Sequence, residues 1–128
     1  METHETYCSL ETCNLLKQAG FDWEVYRCYE TLPEKKKIFG LHLVPYQGKA
    51  REDVLPAPSL SIAQKWLREV KSVFLYVEPL SHTDYYITLI ARKLNGFTTQ
   101  EYATYEEALE AGIQKCLTLI LENDERNL

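Results

Sequence analysis

A helix that ends directly before a strand, in the middle of the chain, most constrains the fold. Apolar residues recur at helical spacing between Leu60 and Val70, which predicts a helix with one apolar face. Pro58 favours extended backbone before it, so we expect this helix to begin near Leu60. Val73–Val77 follows almost at once and has the composition of a strand. A chain that places a helix and a strand this close together is expected to fold as an α+β protein.

The size and composition of the chain predict one small globular domain. Its 128 residues fit a single domain, 1–128, in which 1–8 and 122–128 are expected to be mobile ends. No apolar run reaches the ~20 residues of a membrane helix, and the polar start of the chain is unlike a signal peptide. The four cysteines include no CxxC pair, which favours small buried thiols in a reducing cytoplasm. We therefore expect a cytoplasmic protein with no membrane partner.

The first half of the chain is predicted to contain one helix and two strands. Ser9–Ala19 carries an apolar stripe, and Gly20 is placed to end this helix in the left-handed conformation. Trp23–Tyr29 and Ile38–Val44 have the β-branched and aromatic content of strands. The charged segment Lys49–Asp53 leads away from the second strand, and we expect an ordered but irregular connection from there to Pro58.

The second half is predicted to contain a hairpin and a short third strand. Val73–Glu78 and Tyr85–Arg92 are separated by six turn-forming residues, as in an antiparallel hairpin. The Asn95-Gly96 pair is a strong signal for a tight turn, and it predicts a short returning strand over Phe97–Tyr102.

The last helix has the clearest start signal in the sequence. Thr104 and Glu107 form a capping box, in which each side chain is expected to bond an N–H group of the first turn. Gly112 lies on the apolar stripe that follows, where glycine costs ~1 kcal/mol relative to alanine. We therefore expect a close contact of Gly112 with another backbone or a large ring, such as that of Trp66.

Together these elements predict the order α-β-β-α-β-β-(β)-α. Short connections of hairpin type favour antiparallel pairing. The predicted fold is an α+β two-layer sandwich, with a largely antiparallel sheet of four to five strands and three helices on one face.

Three segments together resemble a known group of proteins. They are Leu15–Trp23, Pro58–Val70 and Tyr105–Ala111, which include the stretches LLKQAGFDW, AQKWLRE and YEEALEA. The chain is similar to small uncharacterised phage, prophage and mobile-element proteins of gut Bacteroides-type bacteria. The resemblance covers nearly the full length and is weakest over Pro33–Leu55. It implies a gene product that acts in the cytoplasm of a bacterial host cell, and it implies no activity and no functional residue.

Histidines and cysteines offer two candidates for chemistry. A zinc site could use His4, Cys8 and Cys13, but the nearest further ligands, Cys28 and His42, do not give the paired short spacings of a structural site. A nucleophilic cysteine could pair with His42 or His82, although no cysteine follows an activating turn. Nucleotide-binding and hydrolase motifs are absent from the sequence. We therefore predict no catalytic residue, no cofactor and no metal.

Aromatic residues on strands are the strongest functional signal. If the aliphatic residues of the hairpin face the helices, a set of large side chains is left on the outer side of the sheet. This predicted binding set comprises Tyr26, Phe74, Tyr76, Tyr86 and Ile90. Contiguous exposed rings are typical of a protein-binding surface. The alternatives are that these rings simply cover a solvated sheet, or that Pro33–Leu55 folds over it.

The leading functional hypothesis is a non-enzymatic protein-interaction module of a phage or mobile element, which binds a host or phage protein and can form a weak homodimer. A single-stranded nucleic-acid-binding protein is the alternative, with Lys35–Lys37, Lys49 and Arg51 meeting phosphates. The net charge of −5 argues against nucleic acid as the main partner. A small enzyme of unknown type is the third hypothesis.

Overall fold

The chain folds into three helices and six strands over the residues that the structure describes. This computed structural model describes residues 5–32, 37–48, 54–81, 83–92, 96–98 and 100–126. The elements in chain order are α1 (Leu10–Gln18), β1 (Val25–Leu32), β2 (Lys37–Gly48), β3 (Val54–Pro56), α2 (Leu60–Val70), β4 (Val73–Pro79), β5 (Tyr86–Arg92), β6 (Gly96–Phe97) and α3 (Tyr105–Arg126). They divide into two compact units, Met1–Ser59 and Leu60–Leu128.

The α+β class is confirmed, but the predicted arrangement of strands differs from the observed one. The described strands form two three-stranded antiparallel sheets, ordered β2-β1-β3 and β4-β5-β6, in place of one sheet of four to five strands. The element order is α-β-β-β-α-β-β-β-α. The physical reason is that β2 and β3 pair with both edges of β1, so the strands of the first unit form a sheet of their own.

Helix α1 of the first unit begins and ends as its sequence predicts. The Ser9 side chain accepts a hydrogen bond from the Thr12 N–H at 3.3 Å, which caps the helix start. At the other end Gly20 has a φ of +97°, a conformation that suits glycine. The N–H of Phe21 donates to the Leu16 carbonyl at 2.9 Å, and that of Gly20 donates to Lys17 at 3.1 Å. These two bonds are the Schellman pattern that ends helices.

Strand β3 lies in the stretch for which we expected an irregular connection. It pairs with β1, with Cys28 opposite Pro56, and the N–H of Ala57 donates to the Arg27 carbonyl at 2.9 Å. The start of the chain also joins this unit, because the N–H of Cys8 donates to the Pro58 carbonyl at 2.9 Å. Proline is tolerated here because β3 lies at the edge of its sheet.

In the second unit, α2 and α3 pack against the β4–β5 hairpin. The largest fully buried side chains of this unit are Trp66, Leu67, Val73, Thr88, Ile113 and Leu117. The predicted third strand is shorter than expected: β6 spans two residues, and a single further bridge joins Tyr86 to Tyr102.

None of the helices in the described ranges combines the length and the apolar character that a membrane crossing requires.

Gly112 makes the close contact that its place in the helix predicts, but with a different group. A Cβ at this position would lie 2.4 Å from the Thr88 Cγ2 atom and 2.7 Å from the Thr88 Cβ atom. The closest contact is therefore with a strand side chain, where we expected a backbone or the Trp66 ring. The Thr88 hydroxyl donates to the Ala108 carbonyl one turn earlier in α3, so the threonine is hydrogen-bonded inside the apolar interface.

At the start of α3 the structure shows the Thr104 half of the predicted capping box, and the reciprocal bond to the Glu107 side chain stays a prediction. The N–H of Glu107 donates to the Thr104 hydroxyl at 3.1 Å, and the Ala108 N–H donates to the Thr104 carbonyl at 3.1 Å. The helix then continues to Arg126, through most of the segment that we expected to be a mobile end.

Candidate protein-interaction surface

The β4-β5-β6 sheet has one face packed against helices and one face that carries large apolar side chains. On β4, Val73 and Leu75 are buried, while Phe74 is half-buried and Tyr76 is exposed. Successive residues of a strand point to opposite faces, so Phe74 and Tyr76 share the face away from the helices. The prediction that Phe74 and Tyr76 face away from the helices is confirmed, and their part in binding stays a prediction.

Strand β5 presents the opposite set of residues from the one expected. Thr88 and Ile90 are buried, with Thr88 in contact with α3, whereas Leu89 is exposed and Ile87 is half-buried. Ile87 and Leu89 therefore share the face of Tyr76. We call Phe74, Tyr76, Ile87, Leu89 and Phe97 the outer face.

The register of the sheet places three exposed side chains of the outer face in one row. Tyr76 is paired with Leu89, and Leu89 is paired with Phe97, so the row crosses all three strands. Their exposed fractions are 47% for Tyr76, 37% for Leu89 and 54% for Phe97. Directly opposed residues of an antiparallel pair have Cβ atoms about 5 Å apart, so these side chains are neighbours.

Two residues of the predicted binding set lie on the helix-packed face. Ile90 is buried, and Tyr86 shares its strand face, where its ring makes an edge-on contact with the Tyr105 ring at 6.3 Å between centroids. The prediction that Tyr86 and Ile90 face outward is wrong, because it assumed that the aliphatic Ile87 and Leu89 point inward. The sheet buries the hydrogen-bonded Thr88 between them.

Tyr26 belongs to the other unit. It lies on β1, and 72% of its surface is exposed, the largest exposed fraction among the large hydrophobic residues of the described chain. Its neighbours Val25 and Cys28 are buried. Tyr26 is therefore accessible, as predicted, and its part in binding stays a prediction.

Two charged side chains, Glu78 and Lys115, lie near opposite edges of this sheet. Glu78 is exposed on β4, two residues after Tyr76 and on the same face. Next to β6, the Lys115 side chain lies on the helix-packed side of Gly96, since a Cβ placed there would lie 3.7 Å from the Lys115 Cε atom and 3.8 Å from the Cδ1 atom of the buried Ile90. The Lys115 ammonium lies 6.0 Å from the centre of the Phe97 ring, which is within the range of a cation–π contact.

The cysteines lie in the cores of the two units. Cys8, Cys13, Cys28 and Cys116 are all buried and free of disulfides. Burial raises the pKa of the Cys116 thiol to about 12, so it remains protonated near neutral pH. No group of three or more potential metal ligands occurs among the described residues, and His4, His82 and the His42 side chain lie outside them.

Comparisons with models of protein families, with curated proteins and with solved structures find no match to this chain.

Proposed function

We propose that this chain is a non-enzymatic protein-interaction module that binds its partner through the outer face. The observation that carries this proposal is the row of Tyr76, Leu89 and Phe97, which are cross-strand neighbours and all exposed. The resemblance to phage and mobile-element proteins favours a host or phage protein as the partner.

The energetics of the row favour binding over a purely structural role. Burying a large apolar side chain completely contributes about 1.5–3 kcal/mol. Because each member of the row is still partly exposed, binding to a partner would bury more of its surface and gain part of this free energy. Aromatic side chains are enriched at the centres of protein interfaces, where their rigid rings lose little conformational entropy. Phe74 and Ile87 are half-buried beside the row and extend its apolar character.

The surroundings of Cys116 support a role other than nucleophilic catalysis. A catalytic cysteine requires a lowered pKa and access to substrate, whereas the Cys116 thiol is fully buried and has a raised pKa.

A crosslinking experiment with a matched control tests the proposal. The chain is expressed in bacteria of the type its resemblance implies, and bound proteins are crosslinked, captured and identified. Tyr76→Glu places a charge in the row and should abolish capture. Tyr85→Glu is the control, because Tyr85 is 46% exposed, close to the exposure of Tyr76, but lies in the β4–β5 loop.

Two results would contradict the proposal. One is that both variants retain the captured protein, and the other is that both lose it equally. Circular dichroism of the two variants shows whether a lost interaction has a trivial cause in unfolding.

A second candidate function is the binding of single-stranded nucleic acid. The observation in its favour is the pair of rings, Tyr76 and Phe97, on either side of Leu89, with the Lys115 cation at the border. Seven basic against ten acidic residues in Leu60–Leu128 disfavour it. Binding of an oligonucleotide that weakens steeply with salt and is lost in Tyr76→Glu would place this candidate first.

A further inference from the structure

The apolar row of the outer face lies next to a second row that carries acids. Glu78 comes two residues after Tyr76 on β4 and is exposed, so it points to the same side of the sheet. It is paired with the half-buried Ile87 of β5. The second row therefore begins with a carboxylate beside an apolar side chain.

Glu101 continues this row on the other side of Ile87. The backbones of Tyr86 and Tyr102 bond each other in both directions, at 2.8 and 2.9 Å, so these two residues lie directly opposite and on the same, helix-packed face. The Tyr102 hydroxyl donates to the Gln100 Oε1 atom at 3.3 Å, which places Gln100 on that side as well. Alternation along the chain then directs the exposed Glu101, which lies between them, to the outer face opposite Ile87.

No basic residue balances these acids at the strand positions that the structure describes on the outer face. These positions are Phe74, Tyr76, Glu78, Ile87, Leu89, Ala91 and Phe97. Asp84 is exposed in the β4–β5 loop and adds a third negative charge near the same end. The Lys115 side chain lies on the opposite side of the sheet, near the pair of Gly96 and Ile90. That pair is about 10 Å further along the strands than Ile87, which exceeds the ~8 Å screening length at physiological salt.

Acids beside exposed rings favour a partner that presents arginine. Tyr76 and Glu78 point the same way from positions about 7 Å apart along the strand. A guanidinium group can therefore pair with the Glu78 carboxylate while its flat side lies on the Tyr76 ring. A lysine ammonium is a compact point charge and cannot make both contacts equally well. The same carboxylates repel phosphate groups, which disfavours nucleic acid at this face.

We infer that the partner of the outer face is a protein segment that carries arginines around an apolar side chain. The apolar side chain contacts the exposed row, and the arginines meet Glu78 and Glu101. The backbones of these two acids lie on either side of β5, two strand spacings or about 10 Å apart. Such pairs at the border of an apolar contact fix the orientation of a partner and speed its association. This inference rests on the proposed function, because it names the chemistry of the partner that binds the same face.

Amide NMR of the full chain, titrated with short model peptides, tests this inference. The probe has a single tryptophan with arginines on both sides, and two matched peptides carry lysines or glutamates in place of the arginines. We expect the arginine peptide to shift the amide signals of the outer face and to bind about threefold more tightly than the lysine peptide. The glutamate peptide should not bind.

Two pairs of neutralising substitutions show whether the acids determine the selectivity. Glu78→Gln combined with Glu101→Gln should weaken binding of the arginine peptide about fivefold, because both charge pairs are lost. Glu122→Gln combined with Glu125→Gln makes the same change in net charge at exposed positions near the end of α3. This control pair should have little effect.

A pair of tyrosine variants tests the contact with the ring. Tyr76→Ala should weaken binding of the arginine peptide, because the guanidinium loses the surface on which it lies. Tyr105→Ala is the control, because Tyr105 is 46% exposed, against 47% for Tyr76, but lies at the start of α3. It should bind the peptide as the wild type does.

The outcomes separate this inference from the proposed function. Three results would overturn the arginine-bearing partner: equal binding of the arginine and glutamate peptides, an equal loss in the two glutamine pairs, or an arginine peptide that shifts no signal of the outer face. An oligonucleotide that binds this face more tightly than the arginine peptide would also overturn it. If Tyr76→Glu still abolishes capture in the crosslinking experiment, the proposed function stands in each of these cases.

Discussion

Gly112→Ala is the sharpest test of how α3 is held against the sheet. The new Cβ would lie 2.4 Å from the Thr88 Cγ2 atom and 2.7 Å from its Cβ atom, closer than Cβ atoms approach other groups in folded proteins. Rotating the threonine can move the methyl group but not the Cβ. Thr88 is also fixed by two hydrogen bonds: its hydroxyl donates to the Ala108 carbonyl, and its N–H donates to the Thr98 hydroxyl oxygen. The strain must therefore be relieved by moving α3 away from β5.

Three terms set the magnitude of the effect. Alanine gains about 1 kcal/mol over glycine in helix propensity. Overpacking of a close-packed interface costs about 1–3 kcal/mol. Loss of the Thr88–Ala108 hydrogen bond costs about 1 kcal/mol more if α3 moves. The losses exceed the gain, and we expect Gly112→Ala to lower the free energy of unfolding by about 1–3 kcal/mol.

Equilibrium unfolding in urea, followed by circular dichroism and tryptophan fluorescence, measures this change. Ala111→Gly is the control for propensity alone, because Ala111 is the neighbouring, half-buried position of the same helix, and it should cost about 1 kcal/mol. A Thr88→Ala background should reduce the penalty of Gly112→Ala without removing it, since the Cβ contact remains. A Gly112→Ala variant as stable as the wild type, or more stable, would refute the reasoning.

Two further predictions concern α3. Thr104→Ala removes the hydroxyl that caps Glu107 and should destabilise the protein by about 1 kcal/mol in urea unfolding, whereas Thr118→Ala, at an exposed site inside the helix, should cost nothing. Burial raises the pKa of Cys116 to about 12, whereas the pKa of a cysteine in an unfolded chain is ~8.5. Between these two pH values the unfolded state binds fewer protons than the folded state. The free energy of unfolding therefore falls as the pH rises. From about pH 9.5 to 10.5 the wild type should therefore lose up to about 1.4 kcal/mol more than Cys116→Ala, and equal losses would contradict the assignment.

Helix ends were predictable because their chemistry is local. The Ser9 cap, the Gly20 stop and the Thr104 cap each depend on groups within five residues along the chain, and the structure shows all three. The start of α2 at Leu60 follows equally from Pro58 and the apolar stripe behind it. These signals do not depend on what the helix packs against.

The division of the strands into two sheets was not predictable in the same way. Strand β3 has only three residues and ends in a proline, so its sequence resembles a connection. It becomes a strand because β1 offers an edge 24 to 28 positions earlier in the chain, with Cys28 opposite Pro56. Pairing between strands so far apart in the chain depends on which strand edges remain unpaired in the fold, and no local sequence pattern predicts it.

The outer face was half predictable, and the reason lies in Thr88. Apolar residues occur at both odd and even positions of β5, so its sequence allows either face of the strand to be the inner one. The aliphatic pair Ile87 and Leu89 is the simpler choice for the inner face. The fold instead buries Thr88, because Ala108 supplies an acceptor for its hydroxyl and Gly112 leaves room for its methyl group. A strand shifted by one residue exchanges its two faces completely. The contact between Gly112 and Thr88 therefore determines which side chains of β5 are available to a partner, and a residue buried in the helix–sheet interface fixes the surface that we propose for binding.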